Sequence, residues 1–307
     1  MFATNGSYYK ASGKFSPSSI FFFIISVVIA IPIISTAYIY LNYYVPYIYP
    51  DILFAIGGGV LLGLVIAYVP VKLGKIRSLA LAVFMAFIAA CVMKYVQWCV
   101  YIPLIYEPDA SITQRFLDSI LLFRSPGAIV SCAQEINQYG VWSIGSGGDA
   151  VTGVMLYAVW IIEFLIILVS TCLAACYTPR DTFSEAANKW YKKMAFNFRR
   201  SILEGRESIK ASMENGDFVS LIAAVKANNS DPASYLSFKF EESPDTMSDE
   251  PIYMTVESVT ITRDRRNKAK AQKTNWISKM AIDRKIFGDI KNAVENPEPA
   301  AMPIAAE

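Results

Sequence analysis

Two ionisable residues stand where the surrounding sequence leaves them almost no water. Lys94 interrupts an apolar run from Ser78 to about Leu104, and Glu163 interrupts another from Thr152 to about Cys176. A charge in hydrocarbon costs at least about 2.5–3.5 kcal/mol on insertion scales, so such groups seek a partner or water. Three chemistries suit this couple: an ion pair that fixes which helices meet, a polar element in a path for an ion or proton, or a lysine base serving a serine nucleophile. The last needs a serine at matching depth with oxyanion donors, and no motif supplies one. The chain has no histidine, which excludes Ser-His-Asp and Cys-His catalysis, His-ligated zinc or haem, and histidine pH switching. Cys91, Cys172 and Cys176 lie at depths that do not converge on one metal site. Cys99 and Cys132 fall toward the outer side, where spacing alone establishes no disulfide. No catalytic residue, cofactor or metal is expected.

The elements that must position Lys94 and Glu163 are membrane helices. Of 307 residues, 18% are charged, against about 25% in soluble domains. Only fifteen of those charges precede residue 176. Four runs reach the roughly 20 helical residues that a hydrocarbon core demands: about 20–40, 52–71, 78–104 and 152–176. Backbone groups in lipid must be satisfied internally, which selects helices. Lys10 and Lys14, then Lys72, Lys75 and Arg77, then Arg180, Lys189, Lys192 and Lys193 mark alternate connections as cytoplasmic, while 42–51 has neither Lys nor Arg. Both termini are therefore expected on the cytoplasmic side. A cleaved signal peptide competes for the first run, with Ser35-Thr36-Ala37 as its cleavage site. The length of the run and its continuation through Tyr38 and Tyr40 favour a retained helix. Tyr43, Tyr44, Tyr47 and Tyr49 extend an aromatic belt at the first outer turn.

Small residues recur every four positions at Ala55, Gly59, Gly63 and Ala67, and again at Ser78, Ala82, Ala86 and Ala90. Such stripes let helix backbones approach closely in lipid, and the second and third helices are the expected pair. Lys94 continues the second stripe, so its ammonium should face the bundle interior. At 1.5 Å per residue it stands about 24 Å above Ser78, and Glu163 about 20 Å above Cys176. The two fall at nearly one depth, in the outer half, and are expected to pair.

Residues 107–150 form the outer segment. Ile112, Phe116, Leu117, Ile120 and Leu121 lie opposite Gln114, Arg115 and Asp118, the pattern of an amphipathic helix lying at the interface. Pro126 ends it, and a second short helix follows to about Gln138. The Gly140–Asp149 stretch is glycine-rich but lacks a P-loop lysine, and reads as a turn with Trp142 at the interface and Asp149 capping the next helix.

The cytoplasmic part is expected as juxtamembrane helices over 178–230, a small α+β domain over 231–295 with a three-stranded antiparallel sheet, and a disordered tail over 296–307. Thr182-x-x-Glu185 resembles a capping box opening a helix to about Leu203. Ala187, Trp190, Met194, Phe198 and Ile202 would form its apolar stripe, with Lys189, Lys192, Lys193, Arg199 and Arg200 largely elsewhere. Strands are expected at Tyr235–Glu241, Ile252–Thr262 (with a bulge near Glu257) and Trp276–Asp283, and a closing helix at Lys285–Glu295. The 241–250 turn is acidic, and the 263–273 turn carries Arg263, Arg265, Arg266, Lys268, Lys270 and Lys273. Lys189 to Arg200, with Trp190, and the basic turn are candidate contacts for anionic lipid or a protein partner, including self-association. Nucleic acid is the weaker candidate, since no recognised module or aromatic face accompanies the basic run. Three function classes remain: a non-enzymatic membrane scaffold, assembly or signal-transmitting component; a small channel or transporter built on Lys94 and Glu163; and, weakest, a Ser-Lys membrane hydrolase.

Overall fold

The computed structural model describes residues 4–45, 48–140, 150–201, 205–227, 234–245, 249–263 and 269–297. The Gly-rich stretch with Trp142 and Asp149, the bases Arg265, Arg266 and Lys268, Tyr47 and most of the C-terminal tail lie outside the described residues, as do the Tyr49 and Arg263 side chains. The chain divides into two compact units, Ser12–Arg180 and Met1–Ala11 together with Asp181–Glu307.

The first unit is helical. Ser18–Tyr44, Pro50–Leu73, Leu79–Tyr106 and Gly153–Arg180 are each long and apolar enough to cross a membrane. They are termed here the first to fourth long helices. Pro32 does not break the first, because the turn before it, Ser26–Ala30, widens into a π-helix. Pro70 sits inside a second π segment, Ala67–Leu73. The wider turn makes room for the ring and absorbs the missing N–H, which would otherwise kink an α-helix.

The glycine seam meets a different partner from the one expected. A Cβ added at Gly59 would stand 2.6 Å from the Ile167 carbonyl oxygen, and one at Gly63 2.5 Å from that of Thr171. The Thr171 hydroxyl lies 3.0 Å from the Gly59 carbonyl oxygen and 2.8 Å from that of Ile167. The second long helix therefore packs its seam, flanked by buried Ala55 and Ala67, on the fourth. The stripe Ala82, Ala86 and Ala90 is fully buried, and the third helix packs most extensively on the first, where the Ser35 hydroxyl donates to the Met93 carbonyl (3.4 Å). The physical reason lies in the fourth helix, which carries its own small face, Ser170, Thr171 and Ala174, toward the two glycines.

Two further helices, Ile112–Phe123 and Pro126–Tyr139, meet at 111°. The first is capped by the Ser111 hydroxyl, which accepts from the Gln114 N–H (3.1 Å). Its apolar face, Ile112, Phe116, Leu117, Ile120 and Leu121, remains 40–79% exposed.

The second unit corrects two expectations. Residues 183–200 are not a basic helix: Phe183–Ser184 (β1) and Lys189–Trp190 (β2) form a ribbon, and Lys192–Arg200 (β3) is a strand. The main sheet accordingly has four antiparallel strands, β3–β4–β5–β6, with Ser234–Glu242 (β4), Ile252–Arg263 (β5) and Ala269–Ile282 (β6). Met194 and Phe198 fit both a helical stripe and a period-two pattern with Phe196. Tertiary packing decided for the strand: Phe198 lies opposite Phe238 and stacks on it at 4.5 Å. The supposed capping threonine, Thr182, instead donates its hydroxyl to the Glu241 carboxylate. Register shifts between Met254 and Glu257 mark the expected irregularity of β5. Helices Arg206–Glu214, Val219–Lys226 and Arg284–Glu295 cover one face, burying Met213, Leu221 and Ile290 with Phe238, Phe240 and Met254.

The residues before the first long helix belong to this sheet. Gly6 N–H donates to Ala281 (3.0 Å), Ala281 N–H to Ser7 (2.8 Å) and Tyr9 N–H to Lys279 (2.9 Å), covering the outer edge of β6. The Tyr8 hydroxyl donates to Glu214 (2.6 Å). Burial and that carboxylate push the phenol up to about 12.

One substitution pair tests the seam. Gly63→Ala forces a methyl against the backbone of the fourth helix, whereas an added Cβ at Gly57 meets nothing within 4 Å. In detergent, Gly63→Ala should lose about 1–3 kcal/mol of stability and lower the thermal unfolding midpoint, with Gly57→Ala near wild type. Equal midpoints would contradict this packing.

Candidate buried polar site

Lys94 Nζ donates to Glu163 Oε2 at 2.9 Å, so the third and fourth long helices are joined by an ion pair. The two side chains retain 19% and 16% exposure. The second carboxylate oxygen, Glu163 Oε1, accepts from the Tyr38 hydroxyl at 2.6 Å. Tyr38 is 3% exposed and comes from the first helix. Its sequence neighbourhood suits an interfacial aromatic belt, but Ser35 and Ile34, three and four residues before it on the helix, are both buried, and Tyr38 turns inward on their face.

The second long helix completes the arrangement. A Cβ at Gly58 would meet the Tyr38 ring at 3.4 Å and the Met93 methyl at 3.5 Å, which fixes a layer where three helices converge. One turn further toward the Tyr44 end, the same faces carry Asn42, four residues after Tyr38, and Gln97, four residues after Met93. Two turns further stand Asp51, seven residues before Gly58, and Tyr101, four after Gln97. The Asp51 carboxylate is within electrostatic reach of both Glu163 and Lys94, and Tyr101 of both Glu163 and Asp51. The Asn42 side chain is within hydrogen-bonding reach of the Tyr38 hydroxyl. All four long helices thus contribute to one polar cluster: Tyr38, Asn42, Asp51, Lys94, Gln97, Tyr101 and Glu163.

Toward the other end of the bundle the core changes character. Leu62, Ile66, Val71, Ile76, Ala82, Ala86 and Ile167 are 0–1% exposed, and the buried hydroxyls of Ser35 and Thr171 both bond backbone carbonyls. Cys99 and Cys132 are free thiols in one apolar cluster with Ile102, Ile129 and Ile136. Among the described residues, no group of three or more Cys, Asp or Glu side chains has metal-site geometry.

The basic candidates of the second unit separate by role. Lys189, Lys192, Lys193, Arg199 and Lys270 are exposed. Lys192 and Lys193 stand directly opposite Glu242 and Glu241 in the register with β4. Arg200 donates to the Val225 and Val294 carbonyls, closing two helix ends, and Trp190 packs edge-on against Phe183. Burial pushes the Lys279 ammonium below its ordinary range, against the nearby Glu241 and Asp181.

Compared with known protein families, curated proteins and solved structures, the chain matches none.

Tyr38→Phe removes one bond to a charged acceptor while keeping the ring against Gly58. It should lower stability by about 1–2 kcal/mol, read as an earlier unfolding midpoint of the detergent-solubilised chain. An unchanged midpoint would show that Glu163 does not use the phenol.

Proposed function

We propose that this chain is an integral membrane protein that crosses the bilayer four times, with both termini cytoplasmic, and acts as a non-enzymatic scaffold, assembly or signal-transmitting component through its α+β domain. One observation carries the reading. The residues before the first long helix pair with β6, so the segments flanking the four helices belong to one folded body. A chain that leaves and returns to one side crosses an even number of times. That parity favours four crossings over the five that would result if the bent pair Ile112–Phe123 and Pro126–Tyr139 were itself a span. An interfacial position for Ile112–Phe123 accords with its exposed apolar face and its polar side, Gln114, Arg115 and Asp118.

The transport alternative is less well supported. The polar cluster occupies the half of the bundle nearer Tyr44 and Asp51, and the other half is packed with buried aliphatic side chains whose polar neighbours are tied to backbone. A conducting path needs polar or wet surface at both ends. For the cytoplasmic domain, exposed Lys189, Arg199 and Lys270 remain available to an anionic surface or an acidic partner.

Single cysteines in a cysteine-free background test the topology in intact cells. Ala11→Cys and Lys192→Cys should react with an impermeant maleimide only after permeabilisation, and Tyr139→Cys before it. Reaction of positions 11 and 192 from opposite sides would overturn the reading. Partners that co-purify with the full chain should be lost when residues 181–307 are removed; partners retained on the bundle alone would move docking off the domain.

A further inference from the structure

The buried cluster carries an electrostatic and hydrogen-bonding imbalance. Two carboxylates, Asp51 and Glu163, face one ammonium, Lys94, which is already bonded to Glu163. Formal charge is therefore −1. In addition, Asn42 Oδ1, Asp51 Oδ1 and both amide atoms of Gln97 are buried with no hydrogen-bond partner among the described residues. Gln97 is 2% exposed, and an orphaned buried polar atom is left without the hydrogen bonds it had in water. Its position on the third long helix, one turn from Lys94 and one turn from Tyr101, puts it level with Asn42 and one turn from the level of Asp51. Among the described residues of the bundle, these orphaned atoms all come from helix positions within two turns of the Gly58 layer, on the Asp51 side.

We propose that Asp51, Asn42 and Gln97 form a binding site for one small monovalent cation, sodium by class, held by side-chain oxygens at the Asp51 end of the bundle. Hard cations take carboxylate and amide oxygens as ligands, and three such oxygens from three different helices lie here. A single positive charge neutralises the cluster, whereas a divalent ion would leave it at +1. The apolar half of the bundle closes the site on its other side, so exchange runs through the end where Asn42 and Asp51 lie. Occupancy ties the first three helices together above the Lys94–Glu163 pair, which ties the third to the fourth. This inference is independent of what the cytoplasmic domain docks.

The test uses the full chain purified in detergent, with thermal unfolding followed by tryptophan fluorescence at constant ionic strength while sodium chloride replaces choline chloride. A ligand that binds only the folded state raises its stability with concentration until screening or solubility limits it. The midpoint should therefore rise by several degrees with sodium relative to choline. Asp51→Asn should abolish the rise. Gln97→Leu replaces an orphaned amide with an apolar group of similar size, so the protein should fold at least as well without sodium. Its half-maximal response should move to about tenfold higher sodium, the loss of one ligand. Equal midpoints in sodium and choline would overturn the proposal, as would an Asp51→Asn protein that still responds. So would a midpoint that depends on pH through Asp51 but not on the cation, because a proton would then supply the missing charge.

Discussion

Opposite charges removed from water must find each other, and the helical unit is arranged around one such meeting. Lys94 and Glu163 come from helices that are distant in sequence, yet their heads stand 2.9 Å apart. Each ion alone would cost at least about 2.5–3.5 kcal/mol in hydrocarbon, so the pair favours one rotation and one relative height of the two helices. Tyr38 extends the same constraint to the first helix by donating to the remaining carboxylate oxygen. The second is held by shape, through glycines that let it lie against the backbone of the fourth.

Polar and steric constraints thus divide the bundle between them. Nearer Asp51, side-chain chemistry decides which faces meet. Nearer Leu73, close packing does so, through aliphatic side chains and small residues, and the buried Ser35 and Thr171 hydroxyls bond backbone carbonyls. This polarity along the bundle axis supports the proposed non-conducting reading, in which the α+β domain would be the docking surface, over a conduit.

Much of the helical unit was legible in the sequence because lipid-length apolar runs and lone charges within them are strong signals. The helix from Ile112 was legible from its 3.6-residue apolar period, to which the structure adds the Ser111 cap. The polar partners of the pair were hidden. Tyr38, Asn42 and Gln97 look like interfacial or filler residues until the helix faces are known, and Asp51 reads as the edge of a loop. The partner of the glycine seam was hidden too, since Ser170, Thr171 and Ala174 form a small face without a four-residue repeat. In the sheet unit, Met194 and Phe198 satisfied two periods at once, and the helical one was misleading. The pairing of Gly6 to Tyr9 with β6 left no trace in composition, because it is made by backbone groups.

The central claim is that Lys94 and Glu163 stabilise the bundle as a couple, and a double-mutant cycle measures this directly. Unfolding free energies would be compared for Lys94→Met, Glu163→Leu and the double variant in one detergent. The account predicts that each single change costs about 2–3 kcal/mol, somewhat below a fully buried pair because both side chains keep some exposure, and that the double variant loses clearly less than the two together, about the 1–2 kcal/mol of the lost Tyr38 bond. Losses that simply add, with no coupling between the two positions, would contradict it.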